Sequence, residues 1–272
     1  MKFIRESRMG PPKSFKTGAI VGTYPKPLLY LGFDRGGLDV VPPKSVVLPP
    51  DYVKFDVRYE EIVHARADEM SKWLATPEQP RVLAFDFTVA GVTDLDMLFK
   101  PAAMSKPLQD FTSAYNTVSA HLRAGRPLPW KTVVFDSITG YEDIILNHIS
   151  SFNPSAMADA RQWAGQTGAK VRATILSLTS WPCHVACILH TMIDKSELTG
   201  MIAELPSVFS AGLRNDINGL FSQVFYATKQ NGKPVLWTTD QQLVRGIGPR
   251  FPAVIANVVA PDFASIYGKE NL

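Results

Sequence analysis

Continuous apolar runs alternate along the chain with amphipathic stretches. "LLYLGF" (28–33), "RVLAFDF" (81–87), "TVVFD" (132–136) and "CHVACILHT" (183–191) carry almost no polar residue until their last positions. Runs of this length and uniformity predict strands buried on both faces. Between them lie segments whose apolar positions recur at helical spacing. "TGAIVGTY" (17–24) gives about two turns before the "PKP" breaker, and "EEIVHARADEMSKWLA" (60–75) predicts a helix with Ile62, Ala65, Met70, Trp73 and Leu74 inward. "LQDFTSAYNTVSAHLRAG" (108–125), "EDIILNHISSF" (142–152) and "ADARQWAGQTGAKVRATILSLTS" (158–180) predict three more, the first ending at Gly125. "QVFYATKQNGKPVLWTTD" (223–240) reads as a hairpin turning at Asn231-Gly232. The segment 76–106 carries one strand and an unassigned remainder, which leaves open whether it joins the sheet or stands as an excursion. Strands separated by helices predict an α/β fold: a largely parallel sheet flanked by helices, closed at one edge by an antiparallel hairpin. The first apolar residues, in "KFIRESRM", break the pattern, being far more polar than a central strand should be. Either that strand is short, around Phe3 and Ile4, or the loop after it is remodelled.

Composition narrows the classes. The 272 residues suit one domain, with a core spanning about 1–250 and a carboxyl-terminal tail over 251–272. The net charge of +3 argues for no nucleic-acid partner by itself. No apolar run approaches the roughly 18 residues of a membrane span, and no apolar leader opens the chain, so a cytoplasmic protein without membrane contact is expected. Cys183, His184, Cys187 and His190 suggest metal ligation. Strand positions four apart, however, lie about 13 Å from each other, and a buried strand is the reading that follows.

The chemistry gathers at the predicted strand ends. "GPPKSFKT" (10–17) follows the pattern G-x-x-x-x-G-K-[ST] except that Phe15 stands where glycine belongs. Backbone N–H groups of Gly10, Pro11, Pro12, Lys13, Ser14, Phe15, Lys16, Thr17 and Gly18, prolines excepted, would cradle phosphates. Lys16 would neutralise the β and γ groups, and the Thr17 hydroxyl would hold Mg2+. Asp136, at the end of "TVVFD", is the candidate carboxylate for that Mg2+, and Asp34 the candidate to orient water, with Asp86 a weaker one. Each also has a plain structural reading. Asp136 serves equally as a helix cap, Asp34 as a turn residue before Gly36 and Gly37, Lys13 as a solvated lysine, and His190 as a satisfied core histidine.

The ordered set "GPPKSFKTGAIVGTYPKPLLYLGFDRGG", "WKTVVFDSITG" and "HVACILHTM" resembles the RecA-like P-loop ATPases of bacteriophages, which include the Sak-type single-strand annealing proteins. The resemblance runs from Gly10 to about Arg250. It implies a RecA-like P-loop NTPase fold that binds ATP with Mg2+, with Lys16 and Thr17 as the Walker A pair and Asp136 as the Walker B carboxylate. It implies further that His190 senses the γ-phosphate, and that Arg245 and Arg250 reach a neighbouring protomer's phosphates in a homo-oligomer. DNA recombination or single-strand annealing follows as the process and single-stranded DNA as a partner, contacted through the segment Asp194 to Pro206. Phe15, Arg35 and the polar first strand depart from that family. Arg35 stands where many relatives carry a glutamate. Those departures support a second reading, a pseudo-ATPase acting as a structural or regulatory oligomer; a third is a DNA-binding module independent of nucleotide.

Overall fold

The computed structural model describes residues 3–47, 55–88, 101–152, 161–195, 202–238, 248–249 and 258–268. Its strands are β1 (Arg5–Gly10), β2 (Leu28–Gly32), β3 (Ile62–Ala65), β4 (Val82–Asp86), β5 (Thr132–Asp136), β6 (His184–Lys195), β7 (Ile202–Pro206), β8 (Gln223–Gln230), β9 (Lys233–Trp237), β10 (Gly248–Pro249) and β11 (Val258–Val259). They pair in the order β11-β9-β8-β1-β6-β5-β2-β4-β3, with β10 against β8 and β7 against β6. Every pair from β8 through β1 to β3 is parallel, whereas β8–β9, β9–β11, β10–β8 and β6–β7 are antiparallel. This is an α/β fold on a mostly parallel mixed sheet, with the expected β8–β9 hairpin. Its turn residues Asn231 and Gly232 have φ 52° and 76°, the positive pair that matches strand twist in a two-residue turn.

Strand alternation sends side chains to two cores. One face holds Met9, Leu29, Leu31, Leu83, Phe85, Val133, Phe135, Val185 and Cys187. It lies under α2 (Met70–Ala75), α3 (Pro101–Arg123), α4 (Ile138–Phe152) and α5 (Arg161–Thr179). The other face holds Leu28, Tyr30, Val82, Ala84, Val134, Ala186 and Ile188. It is covered by α1 (Lys16–Thr23) and, at its edge, by Phe263 of α7 (Phe263–Tyr267). A sixth helix, α6 (Ala211–Asp216), precedes β8. Among the described residues no helix is long and apolar enough to cross a membrane.

Three expectations change. The polar segment is itself the central strand: β1, RESRMG, lies between β6 and β8, and Glu6, Ser7 and Arg8 are each 0% exposed. Glu6 and Arg8 point to the same face and satisfy each other, Arg8 Nε lying 2.7 Å from Glu6 Oε1. The rest of the guanidinium donates to Pro261 O at 2.8 Å and Tyr24 OH at 2.9 Å, and Tyr267 OH donates to Glu6 Oε2. Second, 60–75 is not one helix. Ile62–Ala65 forms the edge strand β3, and the α-helix begins only at Met70. β-Branched Ile62 and Val63 favour the pleated conformation beside β4. Third, the strand predicted over 183–191 runs on to Lys195 and pairs antiparallel with β7, Lys195 opposite Ile202. The carboxyl-terminal tail carries the short helix α7, with Phe263 fully buried and Ile266 nearly so. Within 76–106, β4 is an interior strand between β2 and β3, α3 begins at Pro101, and 89–100 lie outside the described residues.

Candidate functional site

β1 and α1 are joined by a turn that ends in the first turn of the helix. Gly10, at φ 151°, comes so close to β8 that a Cβ there would meet Ala227 O at 2.4 Å. Phe15 occupies the left-handed region at φ 71°, the conformation for which the motif reserves glycine. Its ring meets Phe55 edge-on, with centroids 5.5 Å apart, and covers Gly18, where a Cβ would lie 2.8 Å from the ring. Lys13 is also left-handed, at φ 62°. Lys16 is buried beneath this turn, and Nζ donates to Gly10 O and Pro11 O at 2.8 Å and Ser14 Oγ at 3.1 Å. Burial lowers its pKa to about 8, against the pull of Asp136, Asp34 and Glu204.

β5 carries Asp136 to the same place. Its Oδ2 accepts from Thr17 Oγ1 at 2.7 Å and from Tyr30 OH at 2.8 Å. Burial raises the Asp136 pKa, and the two hydroxyls work against that rise. One strand further along, Asp34 follows β2 and meets His190 near the middle of β6, Nε2 to Oδ2 2.7 Å. Burial acts to raise the Asp34 pKa. Hydrogen bonds from His190 and Ser137 outweigh it, so the carboxyl titrates below its ordinary value. His190 Nδ1 is buried with no hydrogen-bond partner among the described residues. Close approach dictates two glycines here. A Cβ at Gly37 would fall 2.1 Å from Tyr30 OH, and one at Gly140 would fall 2.4 Å from Asp34 Oδ1.

The loop, Asp34 to Gly37, Asp136, Ile188 and His190 wall a cleft of about 360 Å³. It opens at the carboxyl ends of parallel strands, where α/β sheets bind ligands. The structure therefore brings together Lys16, Thr17, Asp34, Asp136 and His190, with Lys13 and Arg35 on the wall. Asp86 stands apart: it accepts from Thr88 N at 2.8 Å and lines neighbouring cavities. Arg245 and Arg250 lie outside the described residues. Cys183 and Cys187 are buried thiols, whose pKa burial pushes up. Among the described residues no group of three or more His, Cys, Asp and Glu could hold a metal. The Thr17 hydroxyl and Asp136 carboxylate instead fit Mg2+, which binds through one or two protein oxygens, substrate phosphates and retained water. Sequence reasoning missed Tyr30, whose signal was one hydroxyl in an otherwise apolar strand, and the pairing of Asp34 with His190. No protein-family model matches the chain, and no curated protein matches it in sequence.

Proposed function

We propose that this cleft binds ATP with Mg2+ and hydrolyses it, and that the chain is a RecA-like P-loop ATPase of the bacteriophage kind, working as a homo-oligomer in DNA recombination or single-strand annealing. The observation that carries the nucleotide site is the Thr17–Asp136 hydrogen bond of 2.7 Å. It joins the helix after the phosphate loop to a strand two positions away in the sheet, with β6 between. The process and the DNA partner rest on the sequence resemblance alone.

In this reading the Lys16 ammonium leaves the carbonyls of Gly10 and Pro11 for the β and γ phosphate oxygens. Backbone N–H groups of the loop and of the first turn of α1 add partial positive charge. Thr17 and Asp136 would hold the Mg2+, which when bound would neutralise phosphate charge. Asp34, ionised and aimed by His190, accepts a hydrogen bond from a water and orients it in line with the γ phosphorus. The new P–O bond forms as the bond to the β–γ bridging oxygen breaks and the water's proton passes to a γ-phosphoryl oxygen, leaving ADP and dihydrogen phosphate. Lys16→Ala weakens ATP binding roughly 10- to 100-fold, the ~1.5–3 kcal/mol of a charged hydrogen bond, and abolishes turnover. Unchanged turnover in this variant, measured by phosphate release, would sink the enzymatic reading.

Phe15 and Arg35 favour a second reading, a pseudo-ATPase that binds nucleotide for structure or regulation. ATP binding by calorimetry without magnesium-dependent phosphate release supports it; turnover that Asp34→Asn removes rejects it.

A further inference from the structure

Several buried or partly buried tyrosines have hydroxyls committed to scaffold partners. Tyr24 OH accepts from Arg8, Tyr267 OH donates to Glu6, and Tyr141 OH bonds Thr174 at 2.9 Å. Tyr30 differs. It lies in the middle of β2, 3% exposed, and its hydroxyl runs to the Asp136 oxygen that Thr17 also holds. In that bond the phenol O–H donates and the carboxylate oxygen accepts. A hydroxyl placed there is costly unless bonded, and the backbone is shaped to admit it. A Cβ at Gly32 would lie 2.7 Å from the Tyr30 ring, and the Gly37 Cβ position is closer still to the hydroxyl. Two glycines thus make room for one phenol beside one carboxylate.

Asp136 Oδ2 has two hydroxyl donors of different freedom. Thr17 stands on the cleft-facing first turn of α1 and can turn toward a ligand. Tyr30 is fixed by the sheet and by the glycine turn above it. Resting on the magnesium-nucleotide reading of the cleft, we infer that Tyr30 is the positioning residue of the Asp136 carboxylate. It holds Oδ2 when the Thr17 hydroxyl leaves it for the cation, so that the carboxylate meets the metal's water shell in one orientation. Tyr30 itself touches neither phosphate nor cation.

The test is titration of the full chain with a fluorescent ATP analogue, with EDTA and across a magnesium series, for the wild type, Tyr30→Phe and Tyr24→Phe. Tyr30→Phe keeps its affinity in EDTA and loses about tenfold of the enhancement by magnesium, the worth of a hydrogen bond to a charged group. Tyr24→Phe removes another buried hydroxyl, from the scaffold, and leaves the magnesium enhancement intact. Gly37→Ala, which drives a methyl into the phenol's place with Tyr30 unchanged, reproduces the Tyr30→Phe defect and covers failure of that variant to fold. Equal magnesium enhancement in the wild type and in a folded Tyr30→Phe overturns the role of Tyr30 and leaves the nucleotide reading standing. A wild type that binds the analogue in neither condition overturns both.

Discussion

Two central strands deliver the two halves of the cleft by opposite chemistry. β5, TVVFD, is buried throughout and apolar between Thr132, whose hydroxyl donates to Pro25 O at 2.8 Å, and Asp136. β1, RESRMG, is as deeply buried and carries an ion pair in its middle. β5 is stabilised by its neighbours in the sheet and by the apolar layers on either side. β1 needs Tyr24, Pro261 and Tyr267 as well, two of them some 250 residues away in sequence. A polar central strand is thus tolerable when every buried charge is bonded, and the bonds that satisfy it tie a remote segment to the strand that leads into the turn at 10–17.

The largest effect should come from breaking that arrangement on one side. Arg8→Ala leaves Glu6 buried without its cation and destabilises the fold by about 3–5 kcal/mol, read by urea unfolding. Replacing both partners, Glu6→Leu with Arg8→Met, makes β1 resemble β5 and recovers most of that loss. The recovery leaves Pro261 O and the Tyr267 hydroxyl without their partners. Amides of Phe263 to Gly268 in the double variant should therefore exchange hydrogen faster, while those of β5 stay protected. Uniform protection would mean that the apolar contacts of Phe263 hold α7 without the ion pair.

A smaller effect follows from what each strand leads into. β5 ends in a carboxylate bonded by two hydroxyls, whereas β1 leads to Lys16, buried beneath its own loop. Its pKa of about 8 lies below the ordinary lysine value of 10.5. Lys16 sheds its proton through about pH 8, so under the proposed nucleotide reading affinity should fall as pH rises, about tenfold by pH 9. Stability of the fold moves the other way. Between pH 8 and 10.5 the unfolded chain binds the proton that the folded lysine has lost, and stability rises with pH. Lys16→Met removes both dependences, which calorimetry and urea melts across pH 7 to 10 would read.

Legibility in the sequence follows the same division. β2, β4, β5, β6 and the β8–β9 hairpin were readable because apolar runs and an Asn-Gly turn are local signals. β1 was not, since nothing near Glu6 and Arg8 announces that Tyr267 will bond one of them and Pro261 the other. Ile62, Ala65, Met70, Trp73 and Leu74 do face inward or pack on the core, yet a strand followed by a helix satisfies that pattern as well as one helix does. At the site, Lys16, Thr17 and Asp136 were legible as motif residues. The Asp34–His190 contact joins positions 156 apart, and Tyr30 looks like one more aromatic strand residue until the sheet register sets it under Gly37.

The smallest effect concerns Phe15, and here the structure changes the physical argument. A left-handed non-glycine residue costs about 1–2 kcal/mol. Phe15 holds φ 71° in the folded chain, so that cost falls on folding. Phe15→Gly should leave ATP affinity within about twofold, where a strain paid only on binding would give about tenfold. Its stability should change by less than about 1 kcal/mol, because relief of the backbone offsets the lost edge-to-face contact with Phe55. Phe15→Ala separates the two contributions: it loses the ring and keeps the strain, and should be about 1 kcal/mol less stable than Phe15→Gly in urea. If alanine and glycine are equally stable, the ring rather than the backbone governs the position. If Phe15→Gly binds ATP tenfold more tightly, the backbone strain at this position is incurred on binding.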